Sequence, residues 1–92
     1  PCVPYATFGS AKLADNVAEG IAKSKAILLQ HHGLITAEQN LDKALWLAHE
    51  CEVLSDLYLK TMAIQQDVPV LDDAEMDVVL NKFQSYGLRV EK

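Results

Sequence analysis

The sequence predicts an α/β fold in which a small sheet is flanked by helices. Three observations carry that expectation. A short, continuous apolar run, Ala26-Ile27-Leu28-Leu29, lies between turn signals and has the length of a strand. Apolar residues recur at helical spacing on both sides of it, in a shorter stretch before and a longer one after. Proline, glycine and a histidine-glycine turn punctuate the chain where the pattern changes.

Residues 2–5 form a short strand framed by Pro1 and Pro4, which favours a sheet edge or a strand end because proline cannot donate to a ladder. Ser10, following Gly9, is a good N-cap. Leu13, Ala14, Val17, Ala18, Ile21 and Ala22 then mark one face of an amphipathic helix ending near Ser24, with Lys12, Asp15, Asn16, Glu19 and Lys23 opposite. Gly20 inside it costs up to about 1 kcal/mol relative to alanine. The apolar run at residues 26–29 suits a strand buried on both faces. His31-His32-Gly33 interrupts it, and Leu34-Ile35-Thr36 resumes an extended pattern.

Asn40 caps a long helix predicted over residues 41–62, with Asp42 in its first turn favouring the dipole. At 1.5 Å per residue that helix is roughly 33 Å long. Its apolar face, Leu41, Ala44, Leu45, Ala48, Cys51, Leu54 and Tyr58, is widened by Leu47, Leu57 and Leu59, which implies packing on more than one neighbour. Asp72 with Glu75 three residues later is a capping-box variant. It opens a last helix faced by Met76, Val79, Leu80 and Phe83 and stopped at Gly87. So small a sheet with so long a helix leaves exposed edges and an unfinished core, the pattern of an incomplete domain.

The composition excludes several functions. Half of the 92 residues are hydrophobic and 23% are charged, which is globular rather than disordered. The net charge of −5, with no basic cluster, gives nothing to neutralise phosphates, so no nucleic-acid partner is expected. The longest fully apolar run, residues 44–48, cannot cross a bilayer, and no signal peptide is visible, so a cytoplasmic protein without a membrane partner is expected. Cys2 and Cys51 lack metal-site spacing and read as reduced packing residues.

The chemistry concentrates at His31-His32-Gly33. In an extended backbone adjacent histidines face opposite sides, so one enters a cleft while the other stays in the structure. A neutral imidazole there is either a metal ligand or a hydrogen-bonded structural residue, and Gly33 would allow close approach of backbone and ligand. His49-Glu50-Cys51-Glu52 does not make a His-Glu-x-x-His motif, because position 53 is Val, so His49 reads as a helix-surface residue. Tyr86, beside Gly87, is either a packing residue at a helix end or a substrate contact and proton donor. Tyr5, Phe8, Trp46, Tyr58 and Phe83 read as core or interface aromatics rather than a stacking platform. No phosphate loop, dinucleotide fingerprint or nucleophile elbow occurs.

Four segments carry a family resemblance. Pro1-Cys2-Val3-Pro4-Tyr5-Ala6-Thr7-Phe8-Gly9 resembles the opening of the carboxy-terminal half of the class II aldolase/adducin superfamily, and Leu28-Leu29-Gln30-His31-His32-Gly33-Leu34-Ile35 resembles its histidine-glycine turn. Residues 40–50 resemble the helix that follows. The double histidine and the ending Lys82-Phe83-Gln84-Ser85-Tyr86-Gly87-Leu88-Arg89 resemble the superfamily's ketose-1-phosphate aldolases. The resemblance covers essentially the whole chain. It implies a partial class II aldolase-like layered fold, with residues 1–92 as the carboxy-terminal portion of one domain whose amino-terminal half is absent.

It also implies a chemistry: zinc-dependent cleavage of a ketose 1-phosphate into dihydroxyacetone phosphate and an aldehyde, in a cytoplasmic homotetramer. By that resemblance His32, directly before the glycine, is the zinc ligand and His31 a structural neighbour; Tyr86 is the tail tyrosine on the aldehyde side, and Phe8 an aromatic on the pocket wall. The remaining zinc ligands, the catalytic carboxylate and the phosphate loops of the family have no counterpart among these residues. One ligand where three are needed implies that the chain alone is inactive. Two other readings stand beside it: a pentulose-phosphate 4-epimerase of the same superfamily, and a non-catalytic adducin-like interaction domain.

Overall fold

The computed structural model describes residues 1–84. The chain forms two compact units, Pro1–Lys60 and Thr61–Lys92. The elements run β1 (Cys2–Val3), α1 (Ala11–Lys23), β2 (Ala26–Leu29), β3 (Gly33–Thr36), α2 (Leu41–Ile64) and α3 (Asp73–Phe83). This is the α/β arrangement expected, with a small sheet and flanking helices.

In the first unit the sheet order is β1-β2-β3. β1 pairs with β2 in parallel, Cys2 opposite Leu28 and Val3 opposite Leu29. β2 and β3 form an antiparallel hairpin from Ala26 opposite Thr36 to Leu29 opposite Gly33. β1 takes the edge, as its prolines require, and is shorter than residues 2–5. Pro4 has no N–H, and the Tyr5 N–H leaves the ladder for the side-chain oxygen of Gln30, 3.0 Å away. At the open end of the hairpin Lys25 pairs with Glu38 at 2.7 Å. That ammonium holds the Glu38 carboxyl below the usual carboxylate range.

Val3, Ile27 and Leu29 form the core on one sheet face, packed against Leu13, Val17 and Ile21 of α1 and Ile35 of β3. The Ser10 hydroxyl caps α1 by accepting from the Leu13 N–H at 3.1 Å, and the Ser24 N–H bonds back to the Gly20 carbonyl. The inward stripe of α1 is rotated from the expected one. Ala14, Ala18 and Ala22 are exposed, whereas Asn16, expected on the polar face, is buried. The stripe runs through residues 13, 16, 17, 20 and 21, the i, i+3, i+4, i+7, i+8 spacing of a helix seated on a sheet. Gly20 lies within it. A Cβ there would stand 2.8 Å from Val3 Cγ1 and 3.0 Å from Ile27 Cδ1, so the glycine lets α1 approach the strands.

The expectation that β2 is buried on both faces is corrected. Ile27 and Leu29 are buried, but Leu28 on the other face is 51% exposed. α2 meets that face at its start, where the Thr36 hydroxyl donates to the Ala44 carbonyl at 2.9 Å. Farther along, Cys51, Leu54 and Ser55 face Leu28 and Leu34 across a cleft of about 310 Å³. Asn40 caps α2 as expected, accepting from the Lys43 N–H at 2.9 Å. The helix runs to Ile64, slightly past the predicted end, and none of its residues is buried. Half-buried Ala44, Leu47, Ala48 and Cys51 mark its inner stripe, while Leu41, Leu45, Trp46, Leu54, Leu57, Tyr58 and Leu59 are exposed. The broad apolar face is therefore only partly covered among the described residues, and Trp46 and Tyr58 are not core. Cys2, read as a packing residue, is exposed because it points to the thinly covered face; both cysteines are free.

In the second unit the chain leaves α2 through a Gln65 N–H bond to the Thr61 carbonyl. The Asp72 side chain caps α3 by accepting from the Glu75 N–H at 2.8 Å, as the capping pattern predicts. Met76, Leu80 and Phe83 on its expected face are exposed, and Phe83 is not core. The predicted stop at Gly87 lies outside the described residues.

Gly33 lies at φ +149, a backbone conformation that favours glycine, with open space where a side chain would stand. A Gly33→Ala substitution therefore meets no clash and costs only conformational strain, of order 1–3 kcal/mol. Denaturant unfolding of the full-length protein should show a lower midpoint with an unchanged slope.

Candidate functional site

Two loops meet at the carboxyl ends of the parallel strands β1 and β2, the end at which open α/β sheets place ligands. Residues 4–10 leave β1, and residues 30–32 close the β2–β3 hairpin. Each contains a tight turn. The Ser10 N–H bonds the Thr7 carbonyl at 3.1 Å around Phe8 and Gly9, and Gly9 at φ +75 supplies the positive φ of a type II turn. The His32 N–H bonds the Leu29 carbonyl at 2.9 Å around Gln30 and His31. There the positive φ, 67°, falls on His31, a non-glycine residue in the left-handed region, a conformation that functional turns often retain at some cost.

Several contacts join the loops. The Gln30 N–H extends the parallel ladder to the Val3 carbonyl at 3.1 Å, and its side chain accepts from the Tyr5 N–H. The Tyr5 ring stacks on His32, with centroids 5.3 Å apart and planes 15° apart. It meets His31 edge-on at 5.7 Å. His32 Nε2 lies 2.8 Å from the Ala6 carbonyl oxygen. A carbonyl can only accept, so Nε2 carries the proton and, in the neutral ring, Nδ1 carries the lone pair. From α1, the Asn16 side-chain amide donates to the Pro4 carbonyl at 3.1 Å. Asn16 and Ala6 are both 8% exposed, so the loop is pinned from inside while the His32 ring stays exposed at the surface.

The structure thus brings His32 and His31 together with Tyr5, whose part the sequence did not reveal: Tyr5 is a stacking partner for the two imidazoles. Phe8 projects from the same loop, 79% exposed and outside any core. His49 is exposed on α2, as a helix-surface residue should be. Tyr86 lies outside the described residues.

The arrangement offers a metal one imidazole held in a fixed orientation. Among the described residues no three His, Cys, Asp or Glu side chains come together to hold a metal. These residues therefore fit one corner of a catalytic zinc site, which needs three protein ligands, and do not form one by themselves.

Comparison with known proteins bears on this geometry. The family described as Class II Aldolase and Adducin N-terminal domain matches residues 1–59, which hold the sheet, α1 and the histidine turn. The chain is 62% identical to an L-fuculose phosphate aldolase of Escherichia coli strain K12 over 92 residues, all of this chain and 43% of the relative. It is 63% identical over the same span to an L-fuculose phosphate aldolase of Haemophilus influenzae, again 43% of that protein. It is 55% identical over 89 residues, 97% of this chain and 42% of the relative, to a 5-methylthioribulose-1-phosphate/5-deoxyribulose-1-phosphate aldolase of Escherichia coli O45:K1. The chain spans less than half the length of these relatives.

Proposed function

The chain belongs to the class II aldolase and adducin family, and from that premise we propose that it is the carboxy-terminal portion of a zinc-dependent aldolase. The full-length protein would cleave L-fuculose 1-phosphate to dihydroxyacetone phosphate and L-lactaldehyde. The observation that carries this reading is the identity of 62% along the whole chain to an enzyme named for that substrate. The exposed, oriented imidazole at the carboxyl ends of β1 and β2 supports it chemically.

His32 would supply one zinc ligand. The metal, when bound, supplies Lewis-acid chemistry toward the ketone-phosphate oxygens. The residues of this chain do the rest of what can be assigned to them. Tyr5 and the Ala6 carbonyl hold the His32 ring in plane and in tautomer. Phe8, exposed at the tip of its turn, walls the substrate pocket. Tyr86, through the resemblance of the segment around it, contacts the aldehyde side and assists proton transfer there. A cytoplasmic location is supported by the two free cysteines. Assembly as a homotetramer is supported by the exposed apolar side chains of α2, which need a cover in the complete molecule.

The relative that acts on methylthioribulose and deoxyribulose phosphates favours a second substrate within the same reaction. The test is product analysis with the full-length protein supplied with zinc. Fuculose 1-phosphate, 5-deoxyribulose 1-phosphate and ribulose 5-phosphate are compared side by side. Dihydroxyacetone phosphate and lactaldehyde released fastest from the first is the expected result. Faster cleavage of the second would move the substrate assignment. Epimerised pentulose phosphate would replace the aldolase reading with an epimerase, and absence of zinc with no product would replace it with an interaction domain. The 92 residues alone are expected to release no product from any of the three.

A further inference from the structure

The histidine turn is held by residues that do not touch its reactive face. We propose that Asn16 and Gln30 are positioning residues for the His32 imidazole: together they clamp residues 4–6, whose Tyr5 ring and Ala6 carbonyl fix the plane and tautomer of the histidine. The inference rests on the reading of His32 as a metal ligand.

The two clamps reach the segment from opposite sides. Asn16, the buried polar side chain of α1, donates to the Pro4 carbonyl. A buried side-chain amide without an acceptor is costly, so the Asn16 amide holds the Pro4 carbonyl and sets where the chain leaves β1. Gln30, the first residue of the hairpin loop, accepts from the Tyr5 N–H with its side chain while its own N–H holds the Val3 carbonyl. Tyr5 and Ala6 follow directly, and each meets His32: one with its ring face, the other with its carbonyl. The hydrogen bond to one ring nitrogen decides which nitrogen is left to bind a metal, and such outer partners typically change metal affinity 10–100-fold. Asn16 ties residues 4–6 to α1 and Gln30 ties them to the start of the hairpin loop, so displacing either clamp turns the ring.

The experiment measures zinc affinity by chelator competition in the full-length protein, with thermal unfolding in parallel. Asn16→Leu keeps the side-chain size and removes the donor; Gln30→Met removes the exposed acceptor; Gln30→Glu keeps an oxygen in its place. We expect zinc affinity to fall about 10–100-fold in Asn16→Leu, and in the same direction in Gln30→Met, with Gln30→Glu close to the parent. A merely structural role would move the unfolding temperature without this rescue. If Asn16→Leu does not fold, Gln30→Met at its exposed position decides alone. A His32→Ala arm separates the two levels of inference. Zinc lost in His32→Ala but held at parental affinity in Gln30→Met and Asn16→Leu overturns the clamp while leaving the ligand in place. Zinc retained in His32→Ala overturns the ligand and the clamp with it.

Discussion

Replacing His32 by alanine in the full-length protein is expected to remove its zinc and to lower aldol cleavage by roughly 10³-fold or more, whereas His31→Asn keeps both near the parental level. The size follows from what one ligand carries. A catalytic zinc is held by three protein side chains, so losing one opens the site. The Lewis-acid contribution lost with the metal is several kcal/mol, and each 1.36 kcal/mol is tenfold in rate. The contrast between neighbours follows from the turn. His32 stacks on Tyr5 and is held through Nε2 by Ala6. His31 occupies the left-handed position of the turn and touches Tyr5 only edge-on. Asparagine adopts that conformation readily, so the turn survives the exchange. Zinc per subunit and initial rate, measured on both variants, check the pair. Equal losses in the two would remove the basis for assigning His32 rather than His31.

The features legible in the sequence were those whose cause is local. Ser10, Asn40 and Asp72 each cap the helix they precede, because a cap needs only a short polar side chain and the amide three residues on. The strand at residues 26–29 and the turn after it follow from a short apolar run broken by His31-His32-Gly33. What the pattern did not reveal lies between residues far apart in the chain. Tyr5 reads as a packing aromatic until the parallel pairing of β1 with β2 sets it against a histidine 27 positions on. Asn16 reads as surface because it is polar, yet the spacing 13, 16, 17, 20, 21 was there to be counted and places it inward. The apolar face of α2 was visible as a face, but its cover is not among the described residues, so burial could not follow from periodicity.

Gly20 shows the same gap between local and tertiary cause, and it leads to the second large effect. By helix propensity alone Gly20→Ala should stabilise α1 by up to about 1 kcal/mol. The added Cβ, however, would stand 2.8 Å from Val3 Cγ1 and 3.0 Å from Ile27 Cδ1. Ile27 Cδ1 is the end of a flexible side chain and can yield, but Val3 is β-branched, stiff in a strand and buried, so relief must come from moving the helix. Overpacking of this kind costs about 1–3 kcal/mol. Gly20→Ala is therefore expected to destabilise the full-length protein by roughly 1 kcal/mol net, and Gly20→Val, with two more carbons in the notch, by about 3 kcal/mol. Denaturant unfolding gives both values. Combining Gly20→Ala with Val3→Ala empties the contested space, so the double variant should be less destabilised than the sum of the singles, by about 0.5–3 kcal/mol of coupling. The consequence reaches the site as well, because Asn16 lies one turn before Gly20 on the same stripe. A helix pushed off the strands at Gly20 draws the Asn16 amide away from the Pro4 carbonyl, and zinc affinity should fall together with stability. If Gly20→Ala instead stabilises the protein, helix propensity outweighs the notch and α1 is not held at this distance by its glycine.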